Sequence, residues 1–242
     1  MPNARKLLLM LLLGGAVTPA LPAAAAVFQI FPVVIEAPAD APTGVVTLSN
    51  GSAEPVMLQL RIFRWTQVGG RDVLTPTSDV VASPPAAKIE PGRQQVARVV
   101  RTTKAPATTE EAYRLIVDEI PVAKPAPADG VRMLLRQSVP VFFGSNAKAA
   151  PRVEWRIERT SGGWELAALN NGPRRQRISD LEIRDEAGRL LDQRLGLVGY
   201  VLGNSEARWT LNLKEGATVS AKLIAASDAG AVHADLTSLP TP

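Results

Sequence analysis

Val131-Arg132-Met133-Leu134-Leu135-Arg136-Gln137-Ser138-Val139-Pro140-Val141-Phe142-Phe143 reads as one long β-strand. Odd positions carry Val131, Met133, Leu135, Val139, Val141 and Phe143, with Gln137 the single polar break. Even positions mix Arg132, Leu134, Arg136, Ser138, Pro140 and Phe142. Side chains alternate between the two faces of a strand, so the odd positions form an apolar ridge ~40 Å long when fully extended. Pro140 has no N–H to give to a ladder, which predicts an edge strand or a bulge rather than a centrally paired strand. A long apolar edge is an aggregation hazard unless something is meant to pair with it.

Strand-like periodicity continues on both sides of this stretch. Val45–Leu48 leads into Ser49-Asn50-Gly51-Ser52, which reads as a hairpin turn, and alternation resumes from Val56 to Trp65. There Val56, Leu58, Leu60, Ile62 and Arg64 share one face, opposite Met57, Gln59, Arg61, Phe63 and Trp65. Gly69-Gly70 marks a further turn, and Gln95–Thr102 and Tyr113–Ile120 read as strands. No stretch keeps a helical stripe beyond about ten residues. The small, polar and proline-containing run Gly144–Pro151 reads as an interdomain linker. After it come Val153–Arg159, Trp164–Leu169, Arg177–Arg184, Leu190–Leu195, Ala207–Leu213, Val219–Ala225 and Val232–Leu236, at the spacing of a β-sandwich or barrel. Asn170-Asn171-Gly172 and Asp185-Glu186-Ala187-Gly188 read as hairpin turns among them.

The start of the chain has the form of an export signal. Arg5 and Lys6 precede the unbroken apolar run Leu7–Leu13, and Ala23–Ala26 offers small residues for cleavage after Ala26. The run is too short to span a bilayer, which takes ~20 apolar residues. Residues 1–26 are therefore expected to be a signal peptide, with one β domain over residues 27–145 and a second over residues 146–242.

Composition excludes several function classes. Hydrophobic residues at 46% against 21% charged suit a folded chain, and the absence of cysteine removes disulfide frameworks, thiol catalysis and iron–sulfur sites. One histidine, His233, excludes a multi-histidine metal centre and is expected at a surface or strand edge. Loss of Arg5 and Lys6 on export lowers the net charge from +4 to +2, too little for a nucleic-acid footprint. Arg174, Arg175 and Arg177 form the tightest basic cluster and, beside Asn170–Pro173, read as a solvated turn. Neither nucleotide-binding glycine motif is present. Asp118 and Glu119 are adjacent on a strand and point to opposite faces, a poor acid–base pair. Ser145-Asn146-Ala147-Lys148 fits S-x-x-K but lies in the linker and lacks S-D-N and K-T-G companions, so chance accounts for it better than a serine hydrolase. Trp65, Trp155, Trp164 and Trp209 read as core residues. No catalytic residue, metal ligand or cofactor site is assigned.

A set of motifs in fixed order resembles the periplasmic pilus-assembly chaperones of the chaperone–usher pathway, the PapD-like family, and especially its archaic branch. They are Phe63-Arg64-Trp65-Thr66-Gln67, Leu74-Thr75-Pro76-Thr77, Ser83-Pro84-Pro85, Ile89-Glu90-Pro91-Gly92 and Tyr113–Pro121. Ser138-Val139-Pro140-Val141-Phe142 and Tyr200-Val201-Leu202-Gly203-Asn204-Ser205 complete the series, which covers nearly the whole chain after residue 26.

The resemblance implies an all-β fold of two immunoglobulin-like β-sandwich domains arranged in an L. It also implies a non-enzymatic chaperone that folds and caps pilus subunits and delivers them to an outer-membrane usher. The last strand of the first domain, here Val131–Phe143, completes a subunit's unfinished sandwich, with Val131, Met133, Leu135, Val139 and Val141 as the subunit-binding side chains. Backbone hydrogen bonds give the generic pairing and alternate side chains fill the open groove. Better-studied members anchor the subunit's terminal carboxylate on an arginine and a lysine. The matching positions are Val34 and Pro140, and neither is basic, so Arg114 and Arg136 on neighbouring strands are the candidates in their place. The family's glutamate before Ile-Pro matches Glu119, and its arginine partner falls on Gly144, which predicts no ion pair between domains there. The expected partners are pilus subunits, the usher and a second, self-capping copy, with no nucleic acid and no small-molecule substrate. The expected compartment is the periplasm. The rival reading is a structural or adhesive β-sandwich component of a surface fibre, which a two-domain chain fits less well than a chaperone does.

Overall fold

The computed structural model describes residues 28–103, 105–121, 133–144, 149–213 and 220–237. The expected signal peptide, Val131 and the Ser145–Lys148 motif lie outside the described residues. Every regular element among the described residues is a β-strand.

The first half runs β1 (Phe28–Phe31), β2 (Ile35–Ala37), β3 (Thr43–Asn50), β4 (Val56–Val68), β5 (Arg71–Pro76), β6 (Val80–Ser83), β7 (Ala86–Ile89), β8 (Gln94–Arg101), β9 (Glu111–Ile120) and β10 (Arg136–Phe143). Two sheets form, one in the order β1-β3-β8-β6 and one in the order β2-β10-β9-β4-β5, with β7 also pairing β4. Phe28, Val46, Leu48, Leu58, Val99 and Leu115 are fully buried between them. β4 follows its period: Val56, Leu58 and Leu60 face this core, and Trp65 is buried on the opposite face. The β4–β5 hairpin turns through Gly69 and Gly70 at φ 59° and 76°, the left-handed pair that a two-residue hairpin of matching twist requires.

The second half runs β11 (Val153–Thr160), β12 (Gly163–Asn170), β13 (Gln176–Asp185), β14 (Leu190–Val201), β15 (Ser205–Leu211), β16 (Ser220–Ser227) and β17 (Gly230–Thr237). Its sheets are ordered β11-β12-β15 and β14-β13-β16-β17, around a separate core that includes Ile157, Leu166, Leu181 and Leu223. The expected hairpin at Asp185–Gly188 joins β13 to β14.

Two expected hairpins are instead crossovers between sheets. β3 and β4 do not pair, nor do β12 and β13. At each crossover a buried asparagine satisfies several backbone groups that no ladder reaches. The Asn50 amide donates to the carbonyls of Glu54 (2.7 Å) and Ile89 (2.9 Å) and accepts from the Ser52 N–H (2.9 Å). Asn170 donates to the carbonyls of Arg174 (2.7 Å) and Leu202 (3.1 Å) and accepts from the N–H groups of Arg152 (3.0 Å) and Gly172 (2.9 Å). Asparagine signals a turn in either case; only the tertiary partners decide which kind.

Candidate functional site

β10 is two strands in one. On one edge it pairs with antiparallel β9 from Phe143↔Glu111 to Arg136↔Asp118, and on the other it pairs with parallel β2 only at Val141, Phe142 and Phe143. The Glu119 N–H donates to the Leu135 carbonyl at 2.9 Å, so odd residues turn their backbone groups toward β9. Backbone groups alternate between the two edges of a strand, so Arg136, Ser138 and Pro140 turn theirs away from β9. Pro140, which has no N–H, thus sits where β9 asks nothing of it. The expected edge strand is present before Val141, and β2 covers the edge from there on.

Burial follows the same division. Val139, Val141 and Phe143 belong to the first sandwich's own core, at 4%, 0% and 0% exposure. Leu135 is partly buried against that core, and Met133 is 74% exposed. Val139 and Val141, expected among the subunit-binding side chains, are therefore spent inside their own domain. Among the described residues the apolar ridge is exposed at Met133 and partly so at Leu135.

The far end of β10 meets the second sandwich. Trp65, Ala112 and Phe142 pack with Tyr200 and Leu202 in a buried cluster against which Val34 also rests. Trp65 lies 5.9 Å from Phe142 and 5.5 Å from Tyr200 between ring centroids. Trp65 is thus a junction residue, whereas Trp164 is in the second core, and Trp155 and Trp209 stack at 6.1 Å beside that core. The Gln67 amide donates to the Tyr200 carbonyl at 2.8 Å and accepts from the Leu202 N–H at 2.9 Å. The Arg208 N–H donates to the Gly70 carbonyl at 2.9 Å, seating the β4–β5 turn on β15.

The two candidate arginines occupy different places. Arg114 pairs in register with Pro140 and with Phe63. Its guanidinium lies 3.7 Å from the Trp65 ring centroid and 5.7 Å from that of Tyr200, with the Asp72 carboxylate at 3.9 Å. Burial pushes its pKa down, opposed by the charges of Asp72 and Tyr200. Arg136 lies four residues before Pro140, about 13 Å along the strand. It is mostly exposed and is hydrogen-bonded to Asp118, which Arg61 also reaches at 2.7 Å.

The arginine cluster after residue 173 is corrected at its centre. Arg175 is 1% exposed, ion-paired with Glu110 and Glu36 of the first sandwich, and its guanidinium lies 3.6 Å from the Phe142 ring centroid. Arg177 remains at the surface, as does His233 on the edge strand β17. Among the described residues Glu119 bonds to Leu135 beside the start of β10. Arg175, Glu110, Glu36 and Gln67 carry no sequence signal of these roles, because each acquires its partner only when the two sandwiches meet.

Residues 27–146 match the model of the pili and flagellar-assembly chaperone family, PapD N-terminal domain. A chain of the CsuC–CsuE chaperone–tip adhesion subunit pre-assembly complex, from the archaic chaperone–usher Csu pili of Acinetobacter baumannii, is 28% identical. The match covers 89% of this chain and 100% of that one, with a TM-score of 0.69. The Pseudomonas aeruginosa CupB2 chaperone is 19% identical, over 86% of this chain and 98% of that one, with a TM-score of 0.54. A chain of the Salmonella enterica SafA pilin complex with the SafB chaperone is 15% identical, over 86% of this chain and 96% of that one, with a TM-score of 0.59. No curated protein matches the chain.

Proposed function

Because the chain belongs to the PapD-like family of pilus-assembly chaperones, we propose that β10 and the residues just before it lend a strand to a pilus subunit. The observation that carries this reading is the change of character along the strand. Val139–Phe143 is anchored in its own core, while Met133 and Leu135 continue the same apolar face outward beside a backbone edge that no described strand pairs. A subunit strand pairs along Arg136–Ser138, and Met133 and Leu135 fill its open groove. Two such side chains contribute on the order of 3–6 kcal/mol gross, before the costs of association.

Arg114 is the proposed anchor for the subunit's terminal carboxylate. It shares a rung with Pro140, one strand over from the position where better-studied members place a lysine, and its guanidinium is held flat by Trp65. Arg136 is too far up the strand and already bonded to Asp118. The chain works in the periplasm after loss of residues 1–26 and surrenders its subunit at the usher. Without a subunit, the free edge is open to a second copy of the chain.

Co-expression with a pilin encoded beside the chain's own gene tests the reading. A one-to-one complex is expected, and Met133→Asp with Leu135→Asp abolishes it while the chaperone stays folded by circular dichroism. Unchanged capture by that variant overturns donor-strand pairing.

A further inference from the structure

The outer end of β10, where it passes into the free segment before it, is held by two consecutive acidic residues. Asp118 accepts hydrogen bonds from Arg61 on β4, at 2.7 Å, and from Arg136 on β10, tying three neighbouring strands together across one face of the sheet. Glu119 then takes both backbone groups of Leu135. Its N–H donates to the Leu135 carbonyl at 2.9 Å, and its carboxylate accepts from the Leu135 N–H at 3.3 Å. Beyond this point the β9–β10 ladder has no further rung among the described residues.

We propose that Asp118 and Glu119 are positioning residues that set the register in which Met133 and Leu135 are offered to a subunit. The inference rests on the donor-strand reading above. A strand slipped by one residue turns every side chain to the other face, which would present Leu134 and Arg136 in place of Met133 and Leu135. An edge half that no described strand pairs on one side has fewer ladder bonds to prevent such a slip. Glu119 fixes the backbone of Leu135 toward β9, which leaves the groups of Arg136 and Ser138 aimed at the open edge. Asp118 holds Arg136 over the sheet, away from that edge. A donor segment already set in this way spares the complex the entropy of ordering it.

The test uses the full chain and two readouts. In the free protein, Glu119→Ala is expected to speed hydrogen exchange at the Leu135 amide about tenfold, the size one hydrogen bond to a carboxylate supports. Glu119→Gln, whose amide oxygen accepts the same bond, restores slow exchange. With a pilin lacking its own N-terminal extension as probe, Asp118→Ala and Glu119→Ala each accelerate release about tenfold, and Glu119→Gln returns release to the wild-type rate. The proposal is overturned if both alanine variants release the pilin at the wild-type rate, or if Glu119→Gln is as defective as Glu119→Ala. The charged pair Met133→Asp with Leu135→Asp separates the two ideas. Loss of the pilin by that pair, with the Asp118 and Glu119 variants unaffected, removes the positioning role and leaves donor pairing standing. Retention of the pilin by the charged pair removes both.

Discussion

The Arg175 guanidinium, from the second sandwich, lies 3.6 Å from the ring centroid of Phe142 near the end of β10. It is also ion-paired with Glu36, which stands in register beside Phe142 on β2, and with Glu110, just before β9. The end of β10 and the two strands that flank it, β2 and β9, thus share one buried cation from the other domain. A lending strand needs one rigid end and one available end, and Arg175 supplies part of the rigidity.

Removing that cation should be costly. Arg175→Met keeps volume against Phe142 but deprives Glu110, whose side chain is 5% exposed, of the guanidinium. Breaking a buried pair from one side costs about 3–5 kcal/mol. Arg175→Met combined with Glu110→Gln should cost less than the single change, because the buried Glu110 carboxylate is then neutralised too and Glu36, which also loses the guanidinium, is 46% exposed and can turn to water. Denaturant unfolding of the two variants checks the order.

Arg114 should matter for the partner more than for the fold. Its guanidinium stacks on Trp65 and approaches Asp72 only to 3.9 Å, so Arg114→Met retains much of the packing. The variant is expected to bind a pilin about ten- to a hundredfold more weakly, the worth of one or two hydrogen bonds to a carboxylate. A pilin with an amidated C-terminus should not distinguish the variant from wild type. Equal affinities for the ordinary pilin would exclude Arg114 as the anchor.

Much of this architecture is legible in the sequence because apolar runs bounded by turn residues, alternating with period two in strands such as β8 and β16, mark most of the long strands. β8, β9 and β11–β17 all fall where apolar alternation bounded by turn residues places them. The short strands β1, β2, β5, β6 and β7 are not legible, since three to six residues give too few periods to recognise. The apolar ridge of Val131–Phe143 reads as one surface; which part of it is free depends on where the domain's own core stops, and that is a tertiary fact. The same holds for Phe63–Gln67 and Tyr200–Ser205. Each is recognisable alone, yet only the fold brings Gln67 to Tyr200, across 133 residues.

Acid should loosen the Asp118 bridge. Burial pushes this carboxyl up, but the hydrogen bonds from Arg136 and Arg61 outweigh it and hold the pKa below the ordinary value. A carboxyl depressed on folding adds stability that is present above its unfolded pKa of about 4 and is lost as pH falls through the folded value. Asp118→Asn should therefore be less stable than wild type near neutrality, by up to about 1 kcal/mol for so exposed a pair of arginines. The two unfolding curves should converge below the folded pKa. A gap independent of pH would assign the effect to something other than the charge.

Gln67 joins the sandwiches as though its amide were a strand rung, donating to the Tyr200 carbonyl and accepting from the Leu202 N–H. Its Nε2 also donates to the Asp72 carboxylate at 3.0 Å. Gln67→Glu keeps the shape and the acceptor but replaces the donor with an oxygen, setting a carboxylate against a carbonyl and a second carboxylate. Gln67→Ala loses all three bonds but brings no charge, and water can reach the half-buried groups it leaves. The glutamate variant should therefore be the less stable of the two near neutral pH, with losses of about 1–3 kcal/mol. Near pH ~4 its carboxyl takes up a proton and regains an O–H donor, so the order should narrow or reverse. Unfolding measured at both pH values checks this, and a glutamate variant as stable as wild type at neutrality would show that the Gln67 amide does not hold the junction.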